Sequence, residues 1–122
     1  MTTQPTLWDD PPRHRTAGAT ERRAAKKARS SLSERRRQAI LAEARFRKRY
    51  GVTQPELAVM LGENGHPLAG NKIQPRLAEL GGYKGRDVLM VQTTMSRNGA
   101  HIWLAIEYAK VDEIDAHLQK AA

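Results

Sequence analysis

The sequence predicts a mainly α-helical domain that carries a small β-hairpin and follows a disordered basic arm. Between residues 31 and 80 the apolar residues recur with the period of a helix, and from about residue 88 the period becomes that of a strand. Residues 1–30 hold too few large apolar side chains to form a core. We therefore expect a flexible arm over 1–30, a folded domain over 31–110 and a short C-terminal helix over 111–122.

Positive charge is concentrated in the first part of the chain. The net charge of the 122 residues is +8, with 14 Lys or Arg and 5 Asp or Glu in residues 1–50 but only 7 and 8 in residues 51–122. Such an excess attracts polyanions, of which nucleic acid is one. There is no cysteine, which excludes disulfides and cysteine nucleophiles. No apolar run reaches the roughly 18 residues of a membrane span and the N-terminus lacks a signal-peptide pattern, so we expect a cytoplasmic protein that binds no membrane.

A capping box formed by Ser31 and Glu34 predicts a first helix from about Leu32 to Arg49. One side of this helix is apolar and the others are cationic. The cationic sides are either only solvated or in contact with phosphate groups, and both alternatives stay open. Glu21–Arg29 also consists of good helix formers, so this part of the arm is expected to become helical against a polyanion.

A second capping box, Thr53 with Glu56, predicts a short helix over 54–61. A turn over 63–70 with two glycines and a proline leads to a third helix over 71–80. The proline at position 75 must then lie in the first turn of that helix, or the helix begins later.

The hydrophobic period then predicts two strands, over 88–94 and 101–108. Asn98-Gly99 between them is the preferred pair for a tight hairpin turn. The hairpin places Arg97 at its tip, and Trp103 is either partly exposed or closes the second side of the ribbon. The amphipathic segment that follows is expected to be a lid on the core or a dimer contact.

The order of helix, helix, turn, helix and hairpin is that of a winged helix-turn-helix domain. The segments TQPELAVMLG and NKIQPRLAELGG, the turn SRNG and the strand AHIWLAI resemble the winged helix-turn-helix DNA-binding proteins of bacteria and their phages. The resemblance covers residues 53–106 and implies a sequence-specific regulator of transcription in a bacterial cell or a phage-infected host. The turn before the third helix is longer than in simple helix-turn-helix units.

Side chains on the outer face of the third helix are suited to reading base edges. Arg and Lys donate to guanine, and Asn and Gln pair with adenine. The predicted base contacts are Asn71, Lys72, Gln74 and Arg76. The first helix, the hairpin and the arm are expected to touch phosphate groups, which position the protein without reading sequence. The predicted backbone contacts are Arg35, Arg36, Arg37, Lys48, Thr53, Lys84 and Arg97.

The N-terminal segment supports an alternative function. Gln4, Leu7 and Trp8 resemble the short peptide by which bacterial replication and repair proteins dock on the sliding clamp. A lone Trp in a charged arm suits an anchor in a partner's pocket. The alternatives to a regulator are therefore an adaptor tethered by this peptide, or a protein–protein interaction module. Trp8 folding back on the domain is the simpler interpretation of the same residue.

The sequence offers only weak matches to catalytic and ligand-binding motifs. In GHPLAGNK, Asn71 stands where a phosphate-binding loop has lysine, and the segment follows a helix rather than a strand. The four histidines have no ligand-like spacing. We therefore expect no catalytic, cofactor or metal site. Double-stranded DNA is the expected partner, and a protein bound by the N-terminal peptide or a second copy of the chain are further candidates.

Overall fold

The computed structural model describes residues 14–121, with side chains from residue 23 onwards except at Ala25 and Ala121. It is mainly helical with one two-stranded antiparallel hairpin, which confirms the predicted class at that level. The contacts divide the chain into two units, Met1–Ser33 and Glu34–Ala122. The elements are α1 (His14–Arg47), α2 (Gln54–Met60), α3 (Gly70–Leu80), β1 (Met90–Arg97), β2 (Ala100–Ala105) and α4 (Val111–Ala121).

The first helix differs from its prediction at its start. It begins at His14 rather than Leu32, so residues 14–30 are helical where we expected disorder. Ser31 lies inside this helix, and the predicted capping box with Glu34 is therefore wrong. Strong helix formers on both sides of Ser31 carry the helix through it. The α-helix ends at Arg47, two residues before the predicted end at Arg49. A single 3-10 turn, Lys48–Tyr50, then leads to the predicted stop at Gly51.

The core lies in the second unit and is built from the C-terminal part of α1, from α2 and α3, and from the hairpin. Each helix contributes apolar residues at helical spacing, and Ile73, Leu77 and Leu80 of α3 are buried as predicted. Because these three side chains face the core, the remaining sides of α3 are left at the surface. The buried cluster comprises Ile40, Ala44, Val52, Leu57, Ile73, Leu77, Leu80, Met90, Trp103 and Ala105.

The segment between α1 and α2 joins the hairpin. The Val52 N–H donates to the Trp103 carbonyl at 2.9 Å, and the Trp103 N–H donates to the Val52 carbonyl at 2.7 Å. Val52 therefore extends the sheet by one residue on the edge of β2. The preceding Gly51 has φ +69°, and a Cβ there would lie 2.6 Å from Ile102 Cγ2 and 2.7 Å from the Trp103 carbonyl oxygen. Only glycine permits so close an approach with that backbone.

The connection between α2 and α3 contains a tight turn. Glu63 and His66 exchange backbone hydrogen bonds of 3.0 and 2.9 Å, and Asn64 and Gly65 between them have φ +54° and +77°. Positive φ at both central residues is the type I′ pattern that Asn-Gly favours. The long turn predicted over 63–70 is thus locally ordered.

Pro75 lies inside α3, in its second turn, because the helix begins at Gly70. The expectation that it occupies the first turn is wrong. Proline has no N–H, so the Asn71 carbonyl cannot receive the hydrogen bond that residue 75 would otherwise donate. The outer face of the helix tolerates this because water can satisfy an exposed carbonyl.

The hairpin turn is Asn98-Gly99, as predicted, with φ +54° and +82°. The strands cover 90–97 and 100–105 rather than the predicted 88–94 and 101–108, because residues 106–108 form a 3-10 turn. A bulge shifts the register between Gln92 and Ser96. Within the bulge the Thr93 hydroxyl donates to the Ile102 carbonyl at 2.8 Å. Such a bulge bends the strand, here just before the turn.

Trp103 is 6% exposed and belongs to the core, so the structure favours the alternative in which it closes the second side of the ribbon. The His117 ring of α4 meets it edge-on, with centroids 5.8 Å apart. His117 is thus buried although it lies on α4, whereas Val111 at the start of that helix is 75% exposed. Over residues 14–121, no helix combines the length and apolar character needed to cross a membrane.

Candidate nucleic-acid interface

The N-terminal half of α3 presents three of the predicted base contacts. Asn71, Lys72 and Gln74 are exposed, because Ile73 and Leu77 fix the opposite side of the helix in the core. Within the described part of the chain, Lys72 forms no ion pair with an acidic side chain. An amide, an ammonium and a second amide therefore stand close together on one surface of the helix.

Arg76, the fourth predicted base contact, is held against the domain. Its Nε lies 2.8 Å from Glu79 Oε1, and the pair is only 17% exposed on each side. Glu79 also accepts a hydrogen bond of 2.6 Å from Arg37 of α1, which in turn pairs with Glu34. Burial by itself would raise the pKa of Glu79, but the hydrogen bond from Arg37 and the charge of Arg76 hold it below its usual range. Arg37 and Arg76 reach DNA only if these ion pairs open.

Arg97 does not project from the hairpin tip. Its guanidinium donates to both carboxylate oxygens of Glu56, at 2.7 and 2.8 Å, and its carbon lies 3.9 Å from the centre of the Tyr50 ring. Arg47 donates to the same carboxylate at 2.6 Å. The hydrogen bond from Arg97, supported by the Thr53 N–H and by Arg47, lowers the pKa of Glu56 to about 2. Glu56 therefore fixes the turn end of the hairpin to the start of α2.

Thr53 is 2% exposed, and its hydroxyl accepts the Glu56 N–H as the cap of α2. A phosphate group cannot reach this side chain in the observed conformation. The other predicted backbone contacts are different, since none of them forms an ion pair with a side chain that the structure describes, and most are exposed. These side chains are Arg35, Arg36, Lys48 and Lys84.

Clefts border α3 on two sides. The larger, about 440 Å³, is lined by charges of both signs, including Glu34, Arg86 and Asp87. A cleft of this kind is not selective for an anion. The smaller, about 210 Å³, is lined by Gln74 of α3, by Trp103 and by His117 of α4.

No protein-family model, curated protein or solved structure matches this chain. The resemblance to winged helix-turn-helix proteins therefore stays a prediction, and function has to be inferred from geometry. Gln4, Leu7 and Trp8 lie outside the described residues, so the clamp-binding peptide also stays a prediction.

The sequence did not reveal which arginines are engaged by acidic side chains. Arg97 and Glu56 are separated by 41 positions, and Arg37 and Glu79 by 42, so no periodic pattern links them. The weak signals were local, namely the capping box that contains Glu56 and the i, i+3 spacing of Arg76 and Glu79. Arginines that form ion pairs in the described part include Arg37, Arg45, Arg47, Arg49, Arg76 and Arg97.

Proposed function

We propose that this protein binds double-stranded DNA in a sequence-specific manner, as a small transcriptional regulator of bacterial or phage type. The observation that carries the proposal is the exposed group Asn71, Lys72 and Gln74 on α3. A helix fits the major groove of B-DNA, and these side chains offer the donors and acceptors that base edges recognise.

The order of the elements supports a winged helix arrangement. α1, the bridging residue Val52, α2, α3 and the hairpin follow one another along the chain, and Val52 pairs with β2. The hairpin is therefore tied to the segment that starts α2, next to the helix that we assign to the groove. In this proposal α3 reads bases while the hairpin lies over the DNA backbone.

Cations without acidic partners supply the proposed phosphate contacts. In the second unit these are Arg35, Arg36, Lys48 and Lys84, and the first unit exposes further basic residues of α1. Neutralising phosphates adds affinity without sequence information. Three further arginines can contact DNA only if each leaves its carboxylate, namely Arg37, Arg76 and Arg97. A phosphate or a base can replace the carboxylate, because it accepts the same charge-assisted hydrogen bonds.

The decisive experiment is selection of binding sites from random duplex DNA, followed by affinity measurements on the enriched sequence. We expect an enriched motif. Lys72→Ala should weaken binding to that motif by roughly 10- to 100-fold, the range of one good base contact, while changing binding to unrelated DNA much less. Lys110→Ala is the matched control, because it removes an exposed lysine outside the proposed interface.

Two results contradict the proposal. One is the absence of any enriched motif, and the other is an equal effect of Lys72→Ala and Lys110→Ala on the enriched site. Gln74→Ala and Asn71→Ala extend the test, since each should relax the preference at one base position rather than weaken binding uniformly.

A further inference from the structure

Phe46 is 81% exposed on α1. One exposed apolar side chain by itself is ordinary at a protein surface, so its neighbours along the helix decide whether it belongs to a binding surface. Ala42 and Ala39 precede it by four and seven residues, which places the three on one side of the helix with the spacing of an interhelical seam. Two of the three seam residues are alanines, and the third, Phe46 at the C-terminal end, is large.

A positive and a negative side chain flank this seam. Arg36 and Glu43 are seven residues apart and therefore lie on the same flank. Arg36 has no acidic partner within the described residues. Glu43 binds Arg47 through Oε2 at 2.7 Å, and its other oxygen has lone pairs that can accept a further hydrogen bond.

We propose that two copies of this chain form a symmetric dimer in which their α1 helices pack antiparallel through Ala39, Ala42 and Phe46. When the two helices cross near Ala39, Arg36 of each copy faces Glu43 of the other. An antiparallel pair brings this flank of one helix against the same flank of the other, whereas a parallel pair brings it against the opposite flank. Only the antiparallel arrangement therefore pairs Arg36 with Glu43. A two-fold arrangement closes on itself, and the alanines allow close approach at the crossing point.

The exposed apolar residues of α4 fit a second copy less well. A two-fold antiparallel contact through Val111 and Leu118 brings Asp115 close to Asp115 of the other copy, because both lie near the middle of that stripe. Like charges near the axis oppose association. The crossing point of the seam on α1 is occupied by alanine, and the exposed Arg35 lies one turn away from it.

The size of the seam determines how strongly the two copies are expected to associate. Residues 36–46 span about three turns of helix, which buries less than the roughly 800 Å² per partner of a standard stable interface. We therefore expect a weak dimer whose population depends on protein concentration. The inference does not rest on DNA binding, since it concerns the chain alone. In the dimer Arg36 pairs with Glu43 and is not available to a phosphate group.

Sedimentation equilibrium of the full chain without DNA, at concentrations between roughly 1 µM and 1 mM, tests this contact. We expect a monomer–dimer equilibrium, and Phe46→Glu should raise the dissociation constant at least tenfold. Val111→Glu is the matched control, because it places the same charge at an equally exposed apolar position on α4. Circular dichroism confirms that both variants are folded.

A charge exchange tests the register. Arg36→Glu and Glu43→Arg should each weaken the dimer, and the double variant should restore it. If Glu43→Arg does not fold, the two single variants Arg36→Glu and Phe46→Glu carry the test, and each should weaken the dimer. The proposal is overturned if the protein is monomeric throughout, if Val111→Glu dissociates the dimer and Phe46→Glu does not, or if the folded double variant is no stronger than the single variants.

Discussion

Glu56 joins three parts of the domain through one carboxylate. It accepts the Thr53 N–H at the start of α2, and it accepts guanidinium N–H groups from Arg47 and Arg97. All of these donors are partly or fully shielded from water. Removing the negative charge would leave the half-buried Arg97 guanidinium without its counter-ion and would leave Arg47 with Glu43 alone. The loss of a shielded partner costs more than an exposed ion pair is worth.

Glu56→Gln should lower the free energy of unfolding at pH 7 by about 2 kcal/mol, measured by urea denaturation. Glutamine still suits the capping box, so the substitution mainly removes charge. Because the pKa of Glu56 is lowered from 4.5 to about 2, its stabilisation is complete above pH 4.5. It is lost as the pH falls from 4.5 to about 2.

The difference between the wild type and Glu56→Gln should accordingly shrink across that acidic range. Glu63→Gln serves as the control, since Glu63 is exposed and forms no ion pair with any side chain described from residue 23 onwards. A Glu56→Gln protein as stable as the control at pH 7 would show that the cluster adds nothing to folding.

At the scale of elements, α4 protects the free edge of the sheet. β2 is bonded on both sides, to β1 and to Val52, so β1 has an unpaired edge. The Gln92 N–H on that strand donates to His117 Nδ1 at 3.1 Å. Nε2 must then carry the ring proton, and it lies 2.8 Å from the Gly81 carbonyl oxygen. One imidazole therefore joins α4 to β1 and to the end of α3.

His117→Phe should keep the ring contact with Trp103 but leave the Gln92 N–H and the Gly81 carbonyl without a partner. Each buried group left unsatisfied costs about 1–3 kcal/mol. We expect a lower free energy of unfolding and faster hydrogen exchange at the Gln92 amide, measured by NMR.

His66→Phe provides the comparison for this variant, because the His66 side chain is exposed in the turn before α3. If Gln92 exchanges equally slowly in both variants, His117 does not hold α4 on the sheet.

Across the whole molecule, ion pairing separates two kinds of positive charge. Many arginines of the second unit are paired with carboxylates, whereas Arg23, Lys26, Lys27 and Arg29 of the first unit are exposed and form no ion pair within the described residues. If DNA is the partner, the unpaired cations should supply most of the salt-dependent affinity. The exposed face of α3 should supply the preference for one sequence.

Replacing Lys26, Lys27 and Arg29 together by Gln should weaken binding to every duplex and leave the order of preference among sequences unchanged. The slope of log affinity against log salt should fall by up to about 0.9 for each phosphate group that the variant no longer neutralises. Fluorescence anisotropy over a salt series measures it. A changed sequence preference, with an unchanged slope, would assign these residues to base reading instead.

Short-range sequence patterns predicted much of the fold. The Thr53–Glu56 capping box, the apolar spacing of Ile73, Leu77 and Leu80, and the Asn98-Gly99 turn all depend on residues close in the chain, and the structure confirms them. The start of α1 was predicted wrongly, because a capping pattern inside a run of helix formers does not interrupt it.

The sequence by itself determined the mainly helical class, the hairpin, the net positive charge and the residue types on the outer side of α3. Only the tertiary structure decided which of those charges are available. Arg37, Arg76 and Arg97 look like Arg35 and Arg36 in the sequence, but folding brings Glu79 and Glu56 against the first three. The reason is physical: charge belongs to the residue, whereas its partner is set by packing between elements that lie far apart in the chain.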